Sequence, residues 1–367
     1  MKIRAAVIER ANGPFQIQDV ELEAPRSGEI IVKLAASGIC FSDITARNLS
    51  LPLPLPIVLG HEGAGIVHAI GPGVTKVAVG DAVVLSRMAC GKCPNCMAGD
   101  TNFCHHAIAL NLSGVRADGT SPLSREGAPV FSQFCGQSSF ANYALAHERN
   151  ATPLDTSFDL KLAPAFACGV LTGAGAVLNG LRVEAGSSLA VFGTGSVGLA
   201  SVMAAHVAGC AQIIAVDRNL DRLRLAQELG ATHAILAEEG VDFAAEIRRI
   251  APLGVSNAIE ATGVASIVRA AVDSLAQKGV CALLGVHKMG QEIHLDHTAM
   301  ALAGTAVQGF PTGVSEPDVL IPRLIALHRQ GRFPVDRLVT FFRFDDIQSA
   351  IEACEQGRAV KPILLMD

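Results

Sequence analysis

Four cysteines within residues 90–104 form the densest set of reactive side chains in the sequence. The segment reads CGKCPNCMAGDTNFC, so Cys90, Cys93, Cys96 and Cys104 follow the spacing C-x2-C-x2-C-x7-C. Thiolates this close together usually bind a metal, and four of them complete the tetrahedral shell of a zinc ion. A complete shell leaves no position for a substrate, so the sequence predicts that any reaction takes place elsewhere.

Three residues from separate segments could form a second zinc site with one open position. Cys40 lies in GICFSD, His61 in GHEGAG and Cys168 in FACGVLTG. Two thiolates and one imidazole, with the fourth position left to water or substrate, form an established catalytic zinc shell. The spacing alone does not join these residues, because a single cysteine usually behaves as a small buried apolar residue and a single histidine as an ordinary core residue.

A glycine-rich motif, VFGTGSVG, carries the spacing of a dinucleotide-binding loop. Gly193, Gly195 and Gly198 form G-x-G-x-x-G between a strand-like run and a helical pattern, which is the context that the motif needs. The first glycine permits the tight turn, the second lets the backbone approach a pyrophosphate, and the third lets helix and strand pack closely. The helix N-terminus would then present free N–H groups to the phosphates.

Asp217, at the end of QIIAVD, supplies the acidic residue expected about 20 positions after this motif. Its carboxylate would accept hydrogen bonds from the adenosine ribose and repel a 2′-phosphate, which favours NAD over NADP. Arg218 beside it acts in the opposite direction. The alternative role of Asp217 is a plain helix cap at the end of the strand.

The elements that must position these residues change in character near residue 170. Before it, short β-type runs such as EIIVKLAASG, GAGIVHAIG and GDAVVLS are broken by Gly, Pro and Asp, which predicts an irregular, mostly β domain. After it, the runs SLAVFG, QIIAVD, SNAIEAT and VCALLG alternate with helical patterns, which predicts an α/β domain with a doubly wound parallel sheet. A helix near 317–330 and a closing strand, PILLM, follow.

Composition narrows the functional classes. The 367 residues carry a net charge of −5 with no basic run, which argues against a nucleic-acid partner. Residues 189–216 contain no Asp, Glu, Lys or Arg, but the glycine motif inside them favours a buried strand–helix–strand unit over a membrane span. The ten cysteines do not read as a disulfide framework, and the N-terminal MKIRAAVIER lacks a signal-peptide core, so we expect a reducing, cytoplasmic location.

Four motifs together, GICFSD, GHEGAGIV, the four-cysteine segment and the glycine motif, resemble the zinc-containing alcohol dehydrogenases of the medium-chain dehydrogenase/reductase superfamily. The resemblance extends over essentially the whole chain. The stretches FCGQSSFANYALAHERN and GRFPVDRLVTFFRFDDIQSAIEACEQGRAVKPILL are most similar to aryl-alcohol (benzyl-alcohol) dehydrogenases and related terpene-alcohol enzymes. The resemblance implies a GroES-like catalytic domain of residues 1–168 and 307–367, a Rossmann domain of residues 169–306, and assembly into homodimers or homotetramers.

The same resemblance implies two zinc ions per chain. The four clustered cysteines would hold a structural zinc. Cys40, His61 and Cys168 would hold a catalytic zinc, with Glu62 as a further member of the site and Asp43 orienting the imidazole. A zinc in such a shell acts as a Lewis acid that lowers the pKa of an alcohol.

Proton transfer in relatives involves two positions of the segment after Cys40. Ser42 matches the hydroxyl that receives the proton of the alcohol, although an ordinary turn hydroxyl is its alternative role. Many relatives have a histidine at position 45 that relays this proton to solvent. Thr45 can pass a proton but cannot store one near pH 7, so the exit route stays open.

The implied reaction is the reversible oxidation of an alcohol to an aldehyde by hydride transfer to NAD. Relatives often place Arg or His at position 41 against the cofactor pyrophosphate, and Phe41 can neither donate a hydrogen bond nor carry charge. We therefore expect weaker cofactor binding, with Lys361 as a candidate phosphate ligand. The full cofactor-binding set implied by the resemblance is Gly193, Gly195, Ser196, Val197, Gly198, Asp217, Arg218, Arg222, Thr172, Val286 and Lys361.

The substrate pocket implied by the resemblance contains Leu51, Phe134 and Val286, all of them apolar. Such a wall favours a bulky, uncharged primary alcohol, benzylic or allylic terpenoid, and the alternative for these residues is simple core packing. One rival function is a glutathione-dependent formaldehyde dehydrogenase, for which Arg116, Arg125 and His105 could form a basic rim. Another is a non-catalytic member that keeps only a zinc lobe, against which the intact ligand set argues.

Overall fold

The computed structural model describes residues 1–51, 53–285 and 290–366. The chain divides into two compact units. The first comprises Met1–Cys168, Glu316–Pro322 and Asp336–Asp367, and the second comprises Gly169–Ser315 and Arg323–Val335. The boundary expected at residue 306 falls on the first residue of a strand in the second unit, so that unit continues further along the chain than the sequence indicated.

The secondary structure contains both short and long elements. The strands are β1 (Lys2–Ile8), β2 (Gln16–Leu22), β3 (Glu29–Gly38), β4 (Ile57–Val58), β5 (Gly63–Ile70), β6 (Ala82–Leu85), β7 (Leu123–Arg125), β8 (Ala128–Val130), β9 (Tyr143–His147), β10 (Ala151–Pro153), β11 (Ser188–Phe192), β12 (Gln212–Asp217), β13 (His233–Leu236), β14 (Val255–Glu260), β15 (Leu275–Leu283), β16 (Ala306–Gly309), β17 (Val339–Arg343) and β18 (Lys361–Leu365). The α-helices are α1 (Phe41–Arg47), α2 (Pro94–Met97), α3 (Ala107–Leu112), α4 (Gly169–Gly175), α5 (Ser196–Ala208), α6 (Leu220–Glu228), α7 (Phe243–Ile250), α8 (Ala265–Asp273), α9 (His297–Ala303), α10 (Pro317–Arg329) and α11 (Ile347–Glu355).

The first unit is built on two mostly antiparallel sheets. One has the order β4-β1-β2-β7-β8, and the other has the order β10-β6-β5-β3-β18-β17 with β9 also paired to β3. Many of the strands are short, as the Gly, Pro and Asp breaks in the sequence predicted. A large apolar cluster of this unit combines residues of β1 with Phe134, Phe140 and Phe344.

Strand pairing brings two predicted ligand segments side by side. The end of β3 pairs with the start of β5, with Ser37 opposite Gly63. The Gly38 N–H also donates to the Glu62 carbonyl at 3.0 Å. Cys40 follows β3 and His61 precedes β5, so the two residues meet because of this register.

The second unit contains the parallel sheet that the sequence predicted. Its order is β13-β12-β11-β14-β15-β16, and every neighbouring pair is parallel. This is the strand order of a Rossmann fold, in which a ligand binds where the order reverses, between β11 and β14.

The apolar residues 189–216 form β11, α5 and β12, in agreement with the predicted buried strand–helix–strand unit. Among the described residues, no helix combines the length and the apolar character needed to cross a membrane.

Candidate metal and cofactor sites

The four clustered cysteines converge on one point. All four are buried, and their sulfur atoms lie within 4.8 Å of one another. Backbone N–H groups point at these sulfurs: Lys92 and Cys93 donate to Cys90 Sγ at 3.5 and 3.3 Å. Donation from the Cys96 backbone lowers the pKa of Cys93 to about 6. Amide donors that stabilise thiolates fit a metal bound by four sulfurs.

The structure also brings together the residues that sequence spacing could not join. Cys40, His61, Glu62 and Cys168 each offer one ligand atom, and these atoms lie within 4.8 Å of one another. His61 and Glu62 are buried, and the two cysteines are half-buried. The donor set of two sulfurs and one imidazole nitrogen suits zinc with an open position.

Asp43 is the group that organises this second cluster. Its carboxylate is fully buried and accepts hydrogen bonds from the backbone N–H groups of Cys40 (2.9 Å) and Gly60 (3.1 Å). It also lies 3.0 Å from His61 Nδ1. When Nδ1 donates to a carboxylate, the Nε2 lone pair is left for a metal. Burial opposes the charged form of His61, but the charges of Asp43, Cys168 and Cys135, together with the Asp43 hydrogen bond, outweigh it and raise the pKa of His61 well above its ordinary value.

The thiols of Cys40 and Cys168 form a hydrogen-bonded pair. The bond from Cys168 lowers the pKa of Cys40 well below that of an ordinary thiol, and the same bond raises the pKa of Cys168. The pair therefore gives up its first proton more readily than its second. A metal that binds both sulfurs would release that second proton.

Glu62 and Lys361 form a fully buried ion pair beside the cluster. Lys361 Nζ contacts Glu62 Oε2 and donates to the Ile39 carbonyl at 3.4 Å. The Lys361 side chain has no exposed surface, so it does not present its charge to a cofactor phosphate. This arrangement gives no support to its expected role as a phosphate ligand, because its charge is paired with Glu62. Among the described residues, buried Glu62 Oε1 has no hydrogen-bond partner, which fits a carboxylate next to a bound cation.

Helix α1 holds the residues expected to move a proton. Ser42 Oγ lies 3.7 Å from Cys40 Sγ, next to the ligand set. Thr45 Oγ1 donates to the Phe41 carbonyl at 3.1 Å. Because a hydroxyl has one proton to donate, Thr45 must break this bond before it can pass a proton onward. Phe41 is 57% exposed at the start of the helix.

Two of the three predicted pocket residues lie within the described structure. The Phe134 ring meets the His61 ring edge-on, with centroids 5.4 Å apart. Leu51 belongs to the same apolar cluster as Phe134. Both side chains are buried, so core packing contributes to their position. Val286 lies outside the described residues.

The glycine loop has the geometry that its motif predicted. Gly193 has a φ of +89°, a left-handed turn conformation that favours glycine. A Cβ on Gly198 would lie 1.8 Å from the Gly193 carbonyl oxygen, whereas a Cβ on Gly195 would meet nothing within 4 Å. The loop is therefore tightly packed at Gly198 and open at Gly195, where a pyrophosphate would approach. Ser196 and Val197 form the first turn of α5.

Asp217 is already engaged with this loop. Its Oδ2 accepts hydrogen bonds from the Thr194 backbone N–H at 2.6 Å and from the Thr194 hydroxyl at 2.8 Å. Its Oδ1 accepts from the Asn219 backbone N–H at 2.9 Å. The sequence analysis missed Thr194, although the residue stands inside the glycine motif. Its hydroxyl fixes the carboxylate expected to face the ribose.

Three further predicted cofactor residues belong to the second unit. Arg218 is exposed, and Arg222 lies in the first turn of α6. Within the described ranges, Arg222 Nε is buried without a hydrogen-bond partner. Thr172 is buried on α4, four residues after Cys168.

Comparisons with known proteins identify the family. Residues 26–156 match the alcohol dehydrogenase GroES-like domain, and residues 196–325 match the zinc-binding dehydrogenase family. The chain is 36% identical over 363 residues to geraniol dehydrogenase of Castellaniella defragrans, which covers 99% of this chain and 97% of the relative. This chain therefore belongs to the zinc-containing alcohol dehydrogenases of the medium-chain dehydrogenase/reductase superfamily, and the two-domain fold expected from the sequence is confirmed.

Solved structures support the same assignment. Benzyl alcohol dehydrogenase from Acinetobacter calcoaceticus is 40% identical, with a TM-score of 0.97 and 100% coverage of both chains. A zinc-binding dehydrogenase from Sinorhizobium meliloti, solved bound to NADP, is 25% identical with a TM-score of 0.81, and the match covers 100% of this chain and 99% of that one. Family membership, the cysteine clusters and the glycine loop together indicate zinc and a nicotinamide cofactor.

Proposed function

We propose that this chain oxidises a bulky apolar primary alcohol, benzylic or allylic terpenoid, to the aldehyde, with zinc and NAD, in a reversible reaction. The observation that carries the proposal is the convergence of Cys40, His61 and Cys168 beside the ring of Phe134. These three residues would hold the catalytic zinc, with Glu62 as an additional ligand candidate. The cluster of Cys90, Cys93, Cys96 and Cys104 would hold a second, structural zinc.

Residues of the first unit would prepare the substrate hydroxyl for reaction. When bound, zinc would supply a Lewis acid that lowers the pKa of the alcohol. Asp43 holds His61 in the orientation for binding, and Ser42 Oγ would accept the proton at the edge of the ligand set. Ser42 is half-buried, and water on its exposed side would take the proton onward while Thr45 is bound to Phe41. Alcohol and NAD⁺ thereby give aldehyde, NADH and one proton.

The choice of NAD rests on Asp217. Its carboxylate is held in place by Thr194 and Asn219, and a fixed negative charge there disfavours a 2′-phosphate. Arg218 and the NADP-bound relative argue for the phosphorylated cofactor. We favour NAD because Asp217 is anchored by three hydrogen bonds while Arg218 is exposed to solvent.

The test is reduction of NAD or NADP, followed as absorbance at 340 nm, with benzyl alcohol, geraniol or ethanol. The proposal expects fast reduction of NAD with the two bulky alcohols, little with ethanol, and loss of activity when a chelator removes zinc. Equal rates with ethanol would contradict the apolar pocket. Faster reduction of NADP than of NAD would contradict the role of Asp217.

A glutathione-dependent formaldehyde dehydrogenase is a weaker candidate. The arginines expected to form its basic rim are already paired: Arg116 with Glu23 and Glu29, and Arg125 with Glu9. Formaldehyde and glutathione in the same assay should therefore give no reduction of NAD. A non-catalytic role is disfavoured because both metal clusters are intact.

The protein is also proposed to form a homo-oligomer in the cytoplasm. β16 is the terminal strand of the parallel sheet, and an unpaired edge of this kind can pair with a second copy. A homodimer or homotetramer built on that edge would appear in sedimentation as two or four chains. Six of the ten cysteines belong to the two metal clusters, a use of cysteine that is typical of a reducing compartment, so we propose a cytoplasmic location.

A further inference from the structure

We propose that Gln137 is a positioning residue for the catalytic metal site. Its side-chain amide holds the backbone on both sides of Glu62 and thereby fixes the segment that carries His61. The inference rests on the proposed metal centre and gives a role to a residue that does not belong to the ligand set.

The amide of Gln137 makes three hydrogen bonds in a fully buried setting. Its Oε1 accepts from the Gly63 backbone N–H at 3.0 Å. Its Nε2 donates to the His61 carbonyl at 2.9 Å and to the Ser86 carbonyl at 3.1 Å. The residue is 1% exposed, so water does not replace these bonds when they are lost. The amide therefore uses both of its donors and its acceptor on backbone groups.

These bonds fix the short segment between β4 and β5. The His61 carbonyl precedes Glu62 and the Gly63 N–H follows it, so one side chain holds the peptides on either side of Glu62. The Glu62 carbonyl is held separately by the Gly38 N–H at 3.0 Å. Rotation of this backbone would displace the His61 ring from Asp43 and the Glu62 carboxylate from Lys361. Gln137 thus restricts the direction in which two members of the metal cluster point.

The turn that carries Gln137 also supplies the ring that packs on His61. Phe134 lies three residues earlier and meets the imidazole edge-on. Between them, Cys135 and Gly136 have φ values of +50° and +70°, so the chain reverses sharply. One turn therefore contacts His61 twice, through the Phe134 ring on the imidazole and through the Gln137 amide on the backbone.

Asn150 provides a matched control for Gln137. It is also 1% exposed, and its Nδ2 donates to the same Ser86 carbonyl at 2.9 Å and to the Cys135 carbonyl at 3.1 Å. Its bonds reach the turn of Phe134 and Gln137 but not the His61–Gly63 segment, so its loss loosens that turn while the Gln137 bonds to the segment stay in place. Gln137→Met and Asn150→Leu each replace a buried amide by an apolar side chain of similar shape. Both should destabilise the fold, but only the first removes bonds to the metal segment.

The experiment measures how fast a chelator removes zinc from each full-length variant, by metal analysis over time. We expect Gln137→Met to lose one zinc per chain about tenfold faster than the parent, since residues that orient ligands typically contribute about 10–100-fold in metal affinity. The second zinc should stay bound. The visible spectrum of cobalt placed at the open site should shift in Gln137→Met. Asn150→Leu should release zinc at the parental rate and keep the parental cobalt spectrum.

Equal zinc-release rates in the two variants would overturn the proposal, as would an unchanged cobalt spectrum in Gln137→Met. Absence of zinc from the His61 cluster in the parent protein would instead overturn the proposed metal centre itself. If Gln137→Met does not fold, Gln137→Glu keeps the shape and the acceptor for Gly63 but removes the paired donors. Parental zinc release in Gln137→Glu would equally overturn the role of Gln137.

Discussion

Replacement of Asp43 by asparagine should separate metal binding from simple folding. The carboxylate accepts from Cys40 N, Gly60 N and His61 Nδ1 while fully buried. An asparagine keeps one oxygen, so its NH2 group must face at least one of these donors. The variant Asp43→Asn thus leaves a buried donor unpaired and removes the negative charge that favours a properly oriented imidazole.

The magnitude follows from these contacts. An unpaired buried donor costs about 1–3 kcal/mol, and exchange of a charged acceptor for a neutral one weakens each remaining hydrogen bond by about 1 kcal/mol. Two of the three hydrogen bonds remain, so we expect the free energy of unfolding of Asp43→Asn to fall by about 3–5 kcal/mol. Loss of the group that orients the histidine should also weaken zinc binding at the open site by about 10–100-fold, with the four-cysteine zinc unaffected.

The assay combines urea unfolding with zinc analysis after dialysis against a graded series of chelator concentrations. Glu260→Gln is the matched control, because Glu260 is 1% exposed and accepts from the Thr262 and Gly263 backbone N–H groups in the other unit. It should lose stability without losing zinc. The reasoning is refuted if Asp43→Asn binds zinc as tightly as the parent, or if Glu260→Gln loses as much zinc as Asp43→Asn.

Three further substitutions test other parts of the structure. Thr194→Val removes the hydroxyl that holds Asp217, while the Thr194 backbone N–H stays in place. The ratio of NADH to NADPH affinity, measured by fluorescence titration, should fall about threefold to tenfold, which corresponds to about 1 kcal/mol, the typical net contribution of one hydrogen bond. An unchanged ratio would contradict the anchoring role. Phe41→Arg adds a cation at the exposed start of α1. NADH should then bind more tightly and dissociate more slowly in stopped-flow measurements, and Phe41→Leu is the control. Unchanged NADH affinity in Phe41→Arg would show that position 41 does not contact the cofactor phosphates. Burial and the nearby Arg149 lower the pKa of His147 in the folded protein, so the unfolded chain binds more protons between the folded pKa and about 6.5, and stability falls as pH drops through that window. When the pH is lowered from 7.5 to about 5.5, the free energy of unfolding of His147→Gln should therefore fall less than that of the parent. The effect would be excluded if the urea midpoints of the two proteins changed equally over that range.

Local motifs allowed part of the site to be predicted from the sequence. The cysteines of residues 90–104 and the glycines of residues 193–198 each act within one short segment, so their spacing already implies their geometry. The parallel sheet was predicted for the same reason, because buried strands alternate with helices along the chain. The order of the strands in the sheet came from the tertiary structure.

Long-range contacts were inaccessible to the same reasoning. Lys361 looked like a cation near the cofactor because position in the chain does not reveal burial, and the structure pairs it with Glu62. Thr45 looked able to relay a proton, since a helix-internal hydrogen bond to the Phe41 carbonyl leaves no mark in the sequence. Gln137 stood in a stretch that suggested the family, without any sign that its amide would reach His61.

The sequence by itself determined the family, the four-cysteine lobe and the dinucleotide loop, because these depend on residues close together in the chain. The family resemblance implied that Cys40, His61 and Cys168 share one site, but only the tertiary structure shows how their ligand atoms come together. The residues are separated along the chain, and the register between β3 and β5 aligns two of them while the fold of the first unit delivers the third. A site assembled from distant segments has no characteristic spacing in the sequence, because it forms only when strand pairing and packing bring those segments together.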